Sequence, residues 1–453
     1  MSGVGQSSAE QHPRGGEEQY PRVLVVSHNV LGGSTAMGKT MASLLAGIPA
    51  DCLAQVYFHS EVPTSDGCST YFRVTDVDML HSVAGRGKAG RAIGPSERRV
   101  GQARSRTDKG AIARVYQLGR KRTRLTYAAR GTLWRAGRLD EDALLGWARV
   151  FAPDVILFAA GDYAFAYDVT LLLSERLGLP VVLWCMDDYY LGHSVRGLGR
   201  RMLMRSLDAL KPKIASVITI SEKMQRDYAA LFDVPIHVLR IGAREPAAPL
   251  PWEERAGICY VGGLGVGRLD VLLAAGRALA QAGIAGLGHV DVYTGDENPK
   301  TLSRLRDAPG IRYCGSLDRE GVGRVQASAR FLLLVESSEP AFKERTRYSC
   351  STKIGEYLAS GAVVVCVGPA DIASVEYLRD NDAALVAEDP AEVPALLRSA
   401  LVSGTSVASL LIHEHKLVQR CHNAECNLNN MGGILREAAS IDHKGLDRDG
   451  WHV

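Results

Sequence analysis

Ser351-Thr352-Lys353-Ile354-Gly355-Glu356-Tyr357-Leu358-Ala359-Ser360-Gly361 runs straight into Ala362-Val363-Val364-Val365-Cys366. The first part reads as a helix that opens on small polar residues and a lysine, with a glutamate one turn in and a stop at glycine. The second part reads as a buried strand. A helix start with backbone N–H groups and a cation is a ready phosphate site. A glutamate on the same turn suits ribose hydroxyls. Taken alone, the stretch is equally one more surface αβ unit, so the rest of the chain has to decide.

Moving outward, the same logic repeats in two halves. Arg22 to Ser27 reads as a buried strand, followed by a loop at Leu31-Gly32-Gly33, a helix from about Thr35 to Ala46 and a strand from Cys52 to His59. Further strands are predicted at Asp154 to Ala159, Val181 to Met186 and Ser216 to Ile220. Helices are predicted at Val169 to Leu177, near 198–210 and at Glu222 to Phe232. Glu245-Pro246-Ala247-Ala248-Pro249-Leu250-Pro251 interrupts the pattern as a linker. It restarts with a strand at Ile258 to Val261, Gly262-Gly263, a helix at Asp270 to Gln281, and strands at Val290 to Tyr293, Ile311 to Cys314 and Phe331 to Val335. After the opening stretch comes a helix at Ala391 to Leu401. Apolar strands alternating with helices imply an α/β protein with two Rossmann-like parallel-sheet domains. Ligands of such sheets bind at the carboxyl ends of the strands, here in a cleft between the two domains.

The expected organisation is a disordered N-terminus over 1–20 and a first domain over 21–245 with a basic insertion at 84–140. A linker over 246–255 and a second domain over 256–405 follow. A helix over 406–440 would return toward the first domain, and 441–453 would form a tail. At 453 residues, two domains are the expected number. The composition, 46% hydrophobic and 23% charged, is that of a soluble globular chain. No apolar run approaches the ~18 to 20 residues of a membrane span. The first twenty residues lack the apolar core of a signal peptide, so a cytoplasmic protein is expected. Cysteines scattered in apolar strands, such as Cys185, Cys259, Cys314 and Cys366, fit reduced thiols.

Charge is unevenly spread. Arg86 to Arg138 holds 16 Lys or Arg against Glu97 and Asp108, which makes that segment +14. The whole chain is +3, so the remainder is −11. The block is either a solvated insertion, mobile over 84–110 and helical over about 111–150, or a surface for a polyanion. No nucleic-acid-binding motif accompanies it, so nucleic acid is not the expected partner. Tyr116, Leu118, Leu125, Tyr127, Leu133 and Trp134 interleave with the cations as in an amphipathic helix on an anionic membrane surface.

Breaking a bond to a diphosphate needs cations and preorganised N–H groups where the leaving group develops charge. Arg268, Lys353 and the amides that start the Ser351 helix are the candidates. Asp162, Asp187 and Asp188 follow strands and are candidates to orient or deprotonate an acceptor hydroxyl, or else are loop caps. Gly32 and Gly33 permit close backbone approach to a sugar or diphosphate. Ser221 and Gly242 also follow strands and would border the ligand. No Asp-x-Asp pair ends a strand in the second half, and no metal site is assigned.

The second half resembles the donor domain of a GT-B glycosyltransferase of the retaining family-four group. The carriers are Tyr260-Val261-Gly262-Gly263-Leu264-Gly265-Val266-Gly267-Arg268 and the Ser351-to-Glu356 helix. Arg268 matches the second basic residue of the family motif, and Gly263 stands where the first often is. Glu356 matches the ribose-binding glutamate, and Tyr348 stands at the position of its usual partner, whose role would pass to Glu344 or Glu339. Ser351, Thr352 and Lys353 match the diphosphate-binding helix start. The first half is similar to a branch found in bacterial surface-polysaccharide biosynthesis, through Ser27-His28-Asn29, Ala54 to Phe58, Pro153 to Phe158, Asp162 to Tyr167 and Met186 to Tyr190.

The resemblance implies transfer, with retention, from a nucleotide-diphosphate sugar, UDP-linked, to a glycan or lipid-linked acceptor. The nucleotide sugar would be a substrate and not a cofactor, and no metal would be required. In the family a donor phosphate oxygen is often thought to accept the proton.

Two rivals come from the residues. Gly33-Ser34-Thr35-Ala36-Met37-Gly38-Lys39-Thr40 matches the P-loop pattern of ATP-dependent kinases and ATPases, with Val181 to Asp188 as an accompanying strand. Its Gly-Gly, however, comes five residues after Ser27 and not directly off the strand. His413, His415, Cys421, His422 and Cys426 are zinc-ligand types, but their spacing fits no standard finger and a helix surface explains them better. A non-catalytic scaffold of the same fold is the third reading, since Gly263 and Tyr348 replace usual donor contacts.

Overall fold

The computed structural model describes residues 20–99, 124–192, 196–243 and 250–441. Nearly all of the expected disordered N-terminus and tail, the linker residues 246–249 and the centre of the basic block lie outside the described residues, as do Tyr116 and Leu118.

The first domain is an eight-stranded sheet in the order β4-β3-β2-β1-β5-β6-β7-β8. Its strands are β1 Val23–Ser27, β2 Leu53–Tyr57, β3 Thr70–Arg73, β4 Arg91–Ile93, β5 Val155–Ala159, β6 Val181–Trp184, β7 Ile214–Thr219 and β8 Ile236–Val238. All pairings are parallel except β3 with β4. Every residue of β1, β2, β5 and β6 is buried, because helices cover both faces. These helices are α1 Ala36–Leu45, α2 Asp76–Val83, α3 Arg124–Ala136, α4 Glu141–Phe151, α5 Ala164–Leu177, α6 Leu198–Leu210 and α7 Glu222–Tyr228.

The second domain is a six-stranded, all-parallel sheet in the order β11-β10-β9-β12-β13-β14. Its strands are β9 Ala256–Val261, β10 Val290–Tyr293, β11 Ile311–Gly315, β12 Ala329–Val335, β13 Val363–Val367 and β14 Leu385–Ala387. Its helices are α8 Arg268–Ala282, α9 Pro299–Asp307, α10 Arg319–Ser328, α11 Pro340–Thr346, α12 Lys353–Ala359, α13 Ala373–Asp380 and α14 Val393–Val402. The chain closes with α15 Gly404–Cys421 and α16 Ala424–Ala439. The two-domain α/β architecture read from the sequence is the one found.

Three local expectations are corrected. The helix foreseen over about 111–150 is, in its described part, two helices. Gly137 turns the chain, and the Asp140 carboxylate caps α4 by accepting from Ala143 N. The segment foreseen as a mobile loop contains β4, whose Arg91 pairs with Glu97. The apolar face of α3 is turned to the core. Tyr127 and Trp134 are each 7% exposed, and the Trp134 ring stacks on Phe165 with centroids 3.8 Å apart. These two residues therefore do not face a membrane, and Arg130 points inward with them to meet Asp76 at 2.9 Å.

Both domains contribute to the contact between them. Ser221 Oγ, at the end of β7, donates to Tyr348 O at 2.8 Å. Tyr348 Oη donates to Asp227 at 2.6 Å, and Glu376 takes both Lys223 and Arg226. The chain crosses again through α16, where Asn427 donates to Arg240 O at 2.9 Å. The end of β7 thus meets the loop that precedes α12.

Candidate functional site

The second domain builds a charged pocket from three separate elements. β9 ends at Val261, and Gly262 follows with φ +133°, a conformation that favours glycine. A Cβ at Gly262 would lie 2.3 Å from Lys353 Cε and 2.7 Å from its Nζ. The bare glycine is what lets the lysine pass beneath the loop. Lys353 starts α12, and its Nζ donates to Tyr260 Oη at 3.0 Å while sitting 4.2 Å from the centre of that ring. Tyr260 Oη in turn donates to Gly263 O at 2.5 Å.

Arg268 opens α8. Its Nη2 donates to both oxygens of Glu336, at 3.0 and 3.2 Å. Glu336 directly follows β12 and is 1% exposed. Arg268 Nε is buried and has no hydrogen-bond partner among the described residues. Burial first, and then the Arg268 charge, bring the Lys353 ammonium down to about 7, with Glu336 opposing. The pocket therefore gathers two cations against one carboxylate, with an N–H still to be satisfied. Such a pocket takes an anion.

The helix start is less open than the sequence suggests. α12 has seven residues, and Ser351 N already donates to Ser374 Oγ at 3.0 Å. Ser351 is therefore occupied, whereas exposed Thr352 and half-buried Lys353 border the pocket. Glu356 is half-buried one turn into α12. Gly263 is exposed with open space around it, so its own loop supplies no cation at the position where the family motif often has one.

On the first domain, several expected residues are engaged elsewhere. Ser221 is spent capping α7 through Met224 N and holding Tyr348 O, so it does not border a donor. Gly242 is a packing glycine, because a Cβ there would lie 2.4 Å from Ala424 Cα. Asp188 accepts from Tyr190 N, Leu191 N, Gly192 N and Tyr228 Oη, which makes it the fastener of its own turn. Asp187 is exposed and accepts Asp188 N at 2.9 Å. Asp162 is 7% exposed and accepts the Tyr127 hydroxyl.

The Gly32-Gly33 loop is likewise closed on itself. Gly32 N donates to Gly38 O, Gly33 N to Val30 O, Ser34 N to Glu61 Oε1 and Gly38 N to Thr35 Oγ1. These are the amides a P-loop would turn toward phosphate, and a buried carboxylate holds one of them. Lys39 is exposed. The Gly32, Gly33, Ser34 and Gly38 amides are thus engaged within the first domain. His422, from the zinc-like cluster, is buried, with Nε2 3.0 Å from Tyr377 Oη. Burial first and then Arg240 lower it to about 4. No group of three or more His, Cys, Asp or Glu among the described residues could hold a metal ion.

The sequence reading missed Glu336, Tyr260 and Glu61. A signal for Glu336 existed, since it is the polar residue that directly ends the run Phe331 to Val335.

No protein-family profile and no curated protein sequence matches the chain. Solved structures do. HepE from Anabaena, in complex with UDP, is similar with a TM-score of 0.59 at 10% identity, over 92% of this chain and 100% of that one. Sucrose-phosphate synthase from Thermosynechococcus elongatus reaches 0.56 at 13% identity, over 92% and 99%. α,α-Trehalose 6-phosphate synthase from Burkholderia multivorans reaches 0.56 at 13% identity, over 93% and 99%. The chain has the GT-B fold.

Proposed function

We propose that the chain is a glycosyltransferase that moves a sugar from a UDP-linked donor, with retention, to a glycan or lipid-linked acceptor. The observation that carries this reading is the pocket of Lys353, Arg268 and Glu336 beneath Gly262, at the carboxyl ends of β9 and β12 in a GT-B fold. HepE is known in complex with UDP and with UDP-glucose, which supports the choice of donor.

In this reading Lys353 and Arg268 meet the diphosphate and stabilise the charge that develops as the glycosidic bond breaks. Arg268 Nε supplies a further donor. Glu356 faces the ribose. Thr352 and Gly263 line the pocket's edge. With Asp188 and Asp187 engaged in a turn, the acceptor proton passes to a donor phosphate oxygen. No metal enters the reading. The protein acts in the cytoplasm, peripheral on the inner membrane face. Residues 86–138 would supply the contact with anionic lipid, chiefly through 100–123, which hold seven Lys or Arg against Asp108. Several described cations of that block are already used within the fold. Lys88 pairs with Asp142, Arg91 with Glu97 and Arg130 with Asp76.

The test is a thermal-shift panel of UDP, GDP, ADP, CMP and ATP, each with and without magnesium. UDP alone should stabilise the protein without metal, and Lys353→Met should sharply reduce the shift. Stabilisation only by ATP with magnesium would overturn the reading. UDP binding without donor turnover would leave a scaffold. For the membrane contact, exchanging the seven cations between 100 and 123 for glutamine should abolish binding to phosphatidylglycerol vesicles at low salt. Unchanged binding would remove that part.

A further inference from the structure

Three half-exposed rings meet where β1, β2 and β5 end in the first domain. His28 follows β1, His59 lies two residues past β2, and Tyr163 immediately precedes α5. The His28 ring centre is 5.9 Å from His59, edge-on at 81°, and 5.6 Å from Tyr163. The rim is built rigidly from behind. The Arg130 guanidinium sits 4.0 Å over the Tyr163 ring, Tyr127 lies 5.2 Å from it and Phe165 5.6 Å from it. Trp134 stacks on Phe165, and Asp76 locks this layer by accepting Arg130 Nε at 2.9 Å and Trp134 Nε1 at 2.6 Å. His59 Nδ1 accepts Glu61 N at 3.2 Å, which places that ring's proton on Nε2.

The chemistry of the rim is selective. It offers flat apolar faces with N–H and O–H edges. Its cation, Arg130, is neutralised by Asp76, and the carboxylates of Glu61 and Asp162 stand behind it. A phosphate finds no uncompensated positive charge among these residues. A pyranose ring, with C–H faces and outward hydroxyls, matches both features. We propose that His28, His59 and Tyr163 form the acceptor platform and that it takes a neutral sugar ring. The acceptor's anionic or lipid part, where it has one, is then held elsewhere. This rests on the glycosyltransferase reading and narrows it to an acceptor whose reacting end is an uncharged saccharide.

The experiment is saturation-transfer NMR on the full chain with saturating UDP and three neutral probes: methyl glucopyranoside, maltose and N-acetylglucosamine. Saturation should reach ring protons of at least one probe. The transfer should fall about fivefold in Tyr163→Ala, which removes one aromatic face, and persist in Tyr163→Phe, which keeps the ring. Transfer to UDP serves as the folding control and should be equal in all three proteins. The platform is overturned if no probe is saturated by the wild type, if Tyr163→Ala matches the wild type, or if Tyr163→Phe loses as much as the alanine variant. Should the sugars bind in this pattern while UDP does not bind at all, the platform stands and the UDP-donor reading falls.

Discussion

Binding of UDP-glucose should weaken as pH rises, and Lys353 should carry the loss. In the empty site its ammonium titrates at about 7, because burial strips it of water and Arg268 repels it. A diphosphate beside it adds opposite charge and returns it toward its ordinary value of ~10.4. The bound state keeps the proton and the empty state loses it above about 7, so binding takes up a proton. The empty site is about half protonated at pH 7 and about one-tenth at pH 8, so affinity should fall about tenfold per further unit, ~1.4 kcal/mol each.

Isothermal titration with UDP-glucose in two buffers of different ionisation enthalpy reads this out. At about pH 7.5, uptake of about 0.75 proton is expected. Lys353→Met should abolish both the uptake and the slope while leaving weak binding. Zero uptake by the wild type together with a flat affinity profile would refute the reasoning. Either the lysine would then stay charged in the empty site, or it would not meet the diphosphate.

The same residue affects stability without ligand. Its native value lies below the unfolded one, so the unfolded chain binds more protons between about 7 and ~10.4, and stability should rise with pH through that window, a rise Lys353→Met removes in urea melts. Gly262→Ala forces a Cβ to 2.3 Å from Lys353 Cε at a φ of +133°. It should cost about 1–3 kcal/mol and the UDP shift, seen together in one thermal titration. Glu336→Gln leaves the Arg268 guanidinium without its carboxylate and should cost about 3 kcal/mol in chemical denaturation; a cost under about 1 would mean that Arg268 swings to solvent. Asp188→Asn places an amide against N–H donors and should cost about 2 kcal/mol. Equal stability to the wild type would show that the turn finds other acceptors.

The strands that were legible in advance are those buried on both faces, such as Val155–Ala159 and Phe331–Val335, because continuous apolar runs need no context. β3, β4, β8 and β14 were missed for the converse reason. They are three or four residues long at or near a sheet edge, and β8 has no fully buried residue. Lys353 and Arg268 could be singled out because each opens a helix after a strand or glycine loop. Glu336 could be seen to end a buried strand, but not to partner Arg268, since only the pairing of β12 with β9 brings the two together, 68 positions apart. Position after a strand was also a poor guide to which side chains stay available. Ser221 is used by Tyr348, 127 residues on, and Asp188 by its own turn. The apolar side of Arg124–Ala136 was read as lipid-facing because Phe165, its true partner, lies about thirty residues beyond Trp134.

The return of α16 to the first sheet sets an order on biosynthesis. Met431, Ile434, Leu435 and Ala438 are buried against the strands of the first domain, and Gly242 admits the start of that helix. Each large side chain among them contributes about 2 kcal/mol of burial. Those residues leave the ribosome only after the whole second domain has been made. The amino-terminal half therefore waits with one sheet face covered only in part, by α1, while nearly two hundred further residues are translated. A messenger truncated after Cys421 would yield a chain whose second domain is whole and whose first is left sticky, a natural client for chaperones.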